Sequence, residues 1–259
     1  MRIAILGSGS RGNAVVVESD GRRLLIDAGF SCRELERRMG AVGVAVSTLS
    51  ALVLTHEHSD HVRGAERLAR RHGLPVYATT GTLQASGLDG AAAGAHRMGS
   101  GVPVEVAGFE IEPFAIPHDA TEPVGLTVQD GAGRRLGLAA DLGSRSRLAW
   151  GRMTELDFLL LETNHDLGML RSGPYPWVLK QRIAGSHGHL SNEDAAGGLA
   201  ELVSDRLRWV VLYHLSQTNN SPALAAEAVG EALGREGCGA RVELTWQDRP
   251  TGWLEVAGG

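Results

Sequence analysis

Thr55-His56-Glu57-His58-Ser59-Asp60-His61 follows directly on the apolar run Ala51-Leu52-Val53-Leu54. The apolar run reads as a buried strand, and the stretch from Val62 to His72 reads as a helix. His56, His58, Asp60 and His61 therefore fall in a tight loop just past a strand end. Three imidazoles and a carboxylate packed this closely are costly to desolvate unless something satisfies them. Imidazole nitrogens and carboxylate oxygens are the donors that Zn²⁺, Mn²⁺ and Fe²⁺ prefer. The heptapeptide is a candidate metal-binding loop.

A two-metal centre needs more donors than one loop carries. Asp27 ends the strand-like segment Arg23–Ile26, and His118 follows Phe109–Ala115. Asp141 follows Arg135–Ala140, and His214 follows Trp209–Tyr213. Taken singly, each has a plain explanation, since a strand-end Asp commonly caps a turn. Strand ends along one edge of a sheet converge in space, however, and loops there carry function. Asp27, His118, Asp141 and His214 together form a candidate distributed ligand set.

Composition excludes several classes. The chain has 259 residues, 43% hydrophobic and 21% charged, which suits an ordinary globular protein of one large domain or two small ones. No apolar run approaches the ~20 residues needed to span a bilayer. Met1–Leu6 is too short for a signal peptide and reads as a first strand. Cys32 and Cys238 are too few and too far apart for a disulfide framework, so a reducing cytoplasm is expected. The net charge of −5 gives no global sign of nucleic-acid binding. Charge is uneven, however, because no acidic residue lies between Asp166 and Glu193. That stretch carries Arg171, Lys180, Arg182, His187 and His189, interleaved with Tyr175 and Trp177. It reads either as a solvated loop or as a phosphate track with aromatic stacking platforms. Lys180 is the only lysine in the chain.

The remaining pattern is short strands in meander order, then strands alternating with helices, which predicts sheets covered by outer helices. Helices are predicted over Ser31–Met39, Asn192–Val203 and Pro222–Leu233. Ser31 with Glu34, Ser191 with Asp194, and Ser221 before Pro222 are their start signals. Arg241–Thr245 and Gly252–Val256 are expected as a final strand pair. Gly7-Ser8-Gly9-Ser10-Arg11-Gly12 matches a dinucleotide fingerprint, but the β-branched run Val15-Val16-Val17 follows where a helix would be required. A tight turn between strands is expected there, with the Ser8 and Ser10 hydroxyls offered to substrate.

With Asp27 upstream and His118, Asp141 and His214 downstream, Thr55–His61 resembles the metallo-β-lactamase superfamily. The resemblance implies an α/β fold, the αββα four-layer sandwich, spanning residues 1–259 as a single domain without a β-CASP insertion. It implies two divalent metal ions, Mn²⁺ or Zn²⁺. His56, His58 and His118 would hold one, Asp60, His61 and His214 the other, and Asp141 would bridge them. Asp27 would brace the loop by hydrogen bonds without ligating.

The superfamily serves many reactions, so the branch must come from other residues. Glu162-Thr163-Asn164-His165-Asp166, Gly188–Ala195 and Tyr213–Asn220, with the early Gly-Ser-Gly-Ser-Arg-Gly-Asn, resemble the YycJ/WalJ group of nucleases. Arg11 stands where that group usually has a second serine. His189-Leu190-Ser191 and Glu162-Thr163 resemble the His-x-Thr and Glu-Ala-Thr elements of tRNase Z. These resemblances imply a 5′-to-3′ exonuclease on DNA that is single-stranded or has a free 5′ end, serving DNA repair or processing. Asp60, His189 and Glu162 would be its catalytic residues, with His189 as proton donor. Arg145, Arg147, Lys180, Arg182 and His187, with Ser8 and Ser10, are the candidate substrate contacts. The alternatives are an RNA-processing nuclease of tRNase Z type, a small-molecule thioester or lactone hydrolase, and a metal-binding protein without turnover.

Overall fold

The computed structural model describes residues 1–90 and 94–256. Its strands are β1 Arg2–Gly7, β2 Ala14–Ser19, β3 Arg22–Ile26, β4 Ala51–Val53, β5 Val76–Thr79, β6 Ala95–Met98, β7 Val104–Val106, β8 Phe109–Ala115, β9 Val124–Asp130, β10 Arg135–Ala139, β11 Phe158–Glu162, β12 Trp209–Tyr213, β13 Arg241–Leu244 and β14 Leu254–Glu255. The helices are α1 Cys32–Ala41, α2 Ser59–Val62, α3 Ala65–His72, α4 Thr80–Ala85, α5 Arg147–Arg152, α6 Leu167–Ser172, α7 Trp177–Ile183, α8 Asn192–Gly198 and α9 Pro222–Arg235.

The strands form two mixed seven-stranded sheets, ordered β14-β1-β2-β3-β4-β5-β6 and β13-β12-β11-β10-β9-β8-β7. Alternation of side chains along the strands gives each sheet two apolar faces. Ile3, Val15, Leu24 and Val53 of one sheet meet Phe109, Leu126, Leu138 and Val211 of the other in a shared core. The outer face of the first sheet packs Leu6, Val16 and Leu25 against Leu35 and Met39 of α1 and Leu68 of α3. That of the second packs Leu159, Leu161 and Leu212 against Trp150 of α5, Ala195 of α8 and Val229 of α9. The result is the αββα sandwich. Among the described residues, no helix is long and apolar enough to cross a membrane.

Two expectations need correction. The two last strands do not pair with each other. β13 runs parallel to β12, whereas β14 returns to the other sheet antiparallel to β1. The helix expected over Val62–His72 is broken into α2 and α3 at Gly64. A side chain there would collide with the carbonyl of Phe30, since a Cβ would come within 2.3 Å of it. The serine caps stand as expected: Ser31, Ser191 and Ser221 accept from the backbone N–H groups of Glu34, Asp194 and Leu224. The Gly-rich turn joins β1 to β2 with no helix after it, and Gly12 (φ +153°) leaves room for the Phe30 ring.

Register sets up the site. Parallel pairing of Ile26 with Val53 leaves Asp27 beside the start of the histidine loop. Pairing of Glu162 with Tyr213 sets Glu162 next to His214, and pairing of Ala139 with Leu161 brings Asp141 to the same edge.

Candidate metal centre

Asp27, Asp141 and His214 each follow a strand, and each has a left-handed backbone, with φ of 58°, 53° and 58°. Such angles are uncommon for side chains other than glycine and persist only where surrounding bonds enforce them. Asp27 N–H donates to the Val53 carbonyl at 2.9 Å. His214 N–H donates to Ser8 Oγ at 2.7 Å, and Asn164 Nδ2 donates to the His214 carbonyl at 2.9 Å. The turns so enforced aim Asp141 and His214 into one cleft and Asp27 at the back of the histidine loop.

The heptapeptide meets them there. Thr55 N–H and Oγ1–H both donate to the Asp27 carboxylate, at 2.9 Å each. The other Asp27 contact is His61 Nδ1 at 2.7 Å, which leaves His61 Nε2 facing the cleft. His118 Nδ1 lies 3.2 Å from the Gly188 carbonyl, so its Nε2 turns inward, 3.2 Å from His58 Nδ1. Three donor sets draw on the heptapeptide, each with its atoms within 4.8 Å of one another: His56, His58 and His118; Asp60, His61 and His214; and His56, His61 and Asp141. Asp141 thus lies between the other two sets, its Oδ2 at 2.8 Å from His61 Nε2 and 3.9 Å from His56 Nε2.

The residues fit divalent cations. His56 Nε2 and His214 Nε2 are buried without a hydrogen-bond partner, and Asp141 Oδ2, whose one close neighbour is His61 Nε2, lies beside them. Buried polar atoms left in this state call for an occupant, and these three aim at one volume lined by imidazole and carboxylate, the donors of zinc-type sites. Electrostatics agree. Burial opposes charge on His61, yet the Asp27 and Asp141 carboxylates outweigh it and push His61 up to about 10. Burial likewise opposes charge on His214, which Asp141, Asp60 and Glu162 hold well above the ordinary histidine range. Burial would raise Asp141, but His214 and His61 pull it well below the usual carboxylate value. His56, lacking an adjacent counter-charge strong enough, is driven down by burial and by His61. So much carboxylate charge in a buried site holds protons on imidazole wherever no metal neutralises it.

Glu162 lies beneath this set, fully buried. Its Oε2 accepts from Leu142 N–H at 2.6 Å and Leu190 N–H at 3.1 Å. Its Oε1 meets His189 Nδ1 at 2.8 Å and His214 Nδ1 at 2.9 Å. His189 is also 3.3 Å from Asp141 Oδ1 and lines the cleft. Burial opposes its charge, but Glu162 and Asp141 raise it above the ordinary histidine value.

The cleft, of about 280 Å³, is also lined by Ser10, Asp119, Tyr175, Arg182 and Ser216. The expected substrate contacts divide. Ser10 and Arg182 face the cleft, although Arg182 Nε is bonded to Asp119 at 2.8 Å, which neutralises part of its charge. Ser8 is 2% exposed and accepts from the His214 backbone, so its hydroxyl braces the last loop and does not face substrate. Arg145 donates to the Gly197 carbonyl, Arg147 opens α5 on the surface, and His187 is exposed beside Ser186. Lys180 lies on the side of α7 away from the cleft. Sequence reading missed Asn13, whose buried amide donates to the Gly9 carbonyl at 3.2 Å and reaches the Asp60 carbonyl at 3.3 Å. Its only signal was a place at the end of the glycine-rich turn.

Residues 22–214 match the beta-lactamase superfamily domain, and with this fold and site the chain belongs to the metallo-β-lactamase superfamily. It is 37% identical to exodeoxyribonuclease YycJ of Bacillus anthracis, over 92% of this chain and 91% of that protein. It is 34% identical to exodeoxyribonuclease WalJ of Streptococcus pneumoniae, over 95% of this chain and 93% of that one. Among solved structures, the metallo-β-lactamase fold protein YhfI from Bacillus subtilis has a TM-score of 0.74 at 17% identity, covering 96% of this chain and 98% of YhfI, a likeness of fold. The chain is therefore related to exodeoxyribonucleases and carries buried His/Asp clusters typical of a dinuclear metal site in this superfamily.

Proposed function

We propose that the protein is a dinuclear metal-dependent nuclease that hydrolyses DNA phosphodiester bonds, running 5′-to-3′ on single strands. The observation that carries this reading is the Glu162–His189 pair at the edge of the donor sets. A thioester or lactone hydrolase has no evident use for a second, carboxylate-braced imidazole beside the metal donors, whereas phosphodiester cleavage must protonate a leaving 3′ oxygen. The relationship to YycJ and WalJ supports DNA as the polymer.

In this reading His56, His58 and His118 would hold one divalent ion, Asp60, His61 and His214 would hold the second, and Asp141 would serve both. Two such ions, when bound, supply a water of lowered pKa and clamp the phosphate oxygens. Asp60 also steers the attacking water. Glu162 holds the Nδ1–H of His189, which orients Nε2 toward the cleft to protonate the departing oxygen. Asp27 orients His61 through Nδ1, so that Nε2 points toward Asp141 and the donor set. Mn²⁺ is the first choice for catalysis, with Zn²⁺ the alternative that this ligand chemistry equally accepts. The role is DNA repair or processing in the cytoplasm.

The test incubates the protein and Mn²⁺, then Zn²⁺, with 5′- and 3′-labelled single-stranded DNA, duplex DNA and RNA, beside a chromogenic thioester. Immediate release of labelled mononucleotide from 5′-labelled single strands, with a slow ladder from 3′-labelled ones, is expected. Cleavage of RNA alone would transfer the site to the tRNase Z type, and turnover of the thioester alone would make it a small-molecule hydrolase.

A further inference from the structure

The acid-free stretch between Asp166 and Glu193 folds into an arm of two short helices, α6 and α7, beside the metal cleft. Helical spacing gives α7 two faces. Leu179, Arg182 and Ile183 line the metal cleft, with Tyr175 just before the helix. Trp177, Lys180 and Gln181 line a second groove, of about 380 Å³, whose other wall is Leu167, Leu170 and Arg171 at α6. The two spaces are thus separated by one helix, a width of about 10–12 Å.

The outer face is unusual for a surface. Trp177 is 68% exposed and Val178 76% exposed, in a chain whose other large side chains are mostly buried. Neither Arg171 nor Lys180 has a carboxylate partner among the described residues, whereas Arg182 on the inner face has Asp119. Lys180 Nζ donates to the Arg171 backbone carbonyl at 2.7 Å, which holds the Lys180 ammonium across the groove from α7 to α6. An open indole ring flanked by two unpaired cations, with no acid in the segment, matches a polyanion that carries exposed aromatic rings. Single-stranded nucleic acid has that chemistry, and its bases are free to stack because they are unpaired.

We propose that this outer face is a binding station for single-stranded DNA flanking the scissile bond, with Trp177 stacking a base and Arg171 and Lys180 holding adjacent phosphates. The proposal rests on the nuclease reading above and adds where the strand is held. α7 then serves both spaces, its inner face bordering the metal cleft and its outer face retaining the strand.

Binding is separated from cleavage by titrating the full-length protein, with Mn²⁺, into a fluorescent phosphorothioate oligodeoxynucleotide and reading anisotropy. Trp177→Ala is expected to weaken binding about five- to 150-fold, the range one stacked base supplies, and Trp177→Phe to recover most of it. Thermal melting of each variant checks the fold. Arg171→Ala with Lys180→Ala is expected to flatten the log–log salt slope by about 1.4, two phosphates at ~0.7 each on a single strand. Arg70→Ala, which removes an exposed cation on α3, is expected to change neither quantity. Unaltered affinity in a folded Trp177→Ala would overturn the station, and so would an RNA of the same sequence binding more tightly through Trp177. If wild-type protein degrades DNA while Trp177→Ala binds normally, the station falls and the nuclease reading stands. If no DNA is degraded but binding depends on Trp177, the nuclease reading falls and the station stands.

Discussion

Four donors converge on the Glu162 carboxylate, two from backbone N–H groups and one each from His189 and His214. His189 and His214 belong to different tasks in the proposed mechanism, so two substitutions separate them. His189→Ala should keep its metal content, read by elemental analysis, while single-turnover cleavage of single-stranded DNA slows by ~10²–10⁴. Glu162→Gln keeps the shape, but its amide cannot accept from all four donors. It should therefore slow turnover and also weaken metal affinity by about 10–100-fold, since His214 loses its orienting partner. Equal metal affinity in Glu162→Gln and wild type would show that the Glu162–His214 contact does not tune the site. The donors themselves were legible because imidazole and carboxylate at strand ends form an unusual pattern. Glu162 was named beside His189 from its resemblance, but its second contact, with His214, was not legible, because a residue within a strand discloses that neighbour only through the parallel register of Glu162 with Tyr213. The left-handed angles at Asp27, Asp141 and His214 were equally hidden, because glycine normally marks such positions and none stands there.

Among the elements, the strands other than β6 and the long helices were readable, while α4, α5, α6 and α7 were not. Each runs six or seven residues, too short for a periodic stripe to emerge. The separation of β13 from β14 depends on which sheet edge is open, information that no local pattern carries. Helix α1 illustrates what a readable element contributes. Ser31 caps it, and Glu34 in its first turn pairs with Arg37 and Arg38. The Arg37 bond leads, and with Arg38 it overcomes burial to hold Glu34 at about 2, against an ordinary 4.5. A carboxylate whose pKa is depressed by folding stabilises the fold above its unfolded value, and the gain is lost as pH falls through the folded value. Stability should therefore decline from about pH 4.5 toward pH 2, in part through Glu34. Glu34→Gln, followed by urea unfolding across that window, should lower stability at neutral pH and make its slope on the acid side shallower. An acid slope identical to that of wild type would refute the assignment.

At the scale of the whole molecule, the donors come from both sheets. Asp27 and the histidine loop lie at the edge of one, and His118, Asp141 and His214 extend from the other. A cation held by both sheets stabilises the folded state over the unfolded one, by about 2.7 kcal/mol at a hundredfold excess over its dissociation constant. For a chain of this length that corresponds to a rise in Tm of roughly 5–11 °C. Chelation should reverse the rise, and scanning calorimetry with and without Mn²⁺ or Zn²⁺ measures it; a Tm indifferent to both ions would argue against a site spanning the sheets. Lys180 has a different consequence. It carries the only ε-amino group in the sequence and sits on the outer face of α7, not in the metal cleft. Reductive alkylation, which leaves the nitrogen cationic, therefore addresses one side chain, so a dye attached there in that way would turn the arm into its own reporter of strand arrival, without a cysteine having to be engineered into the chain.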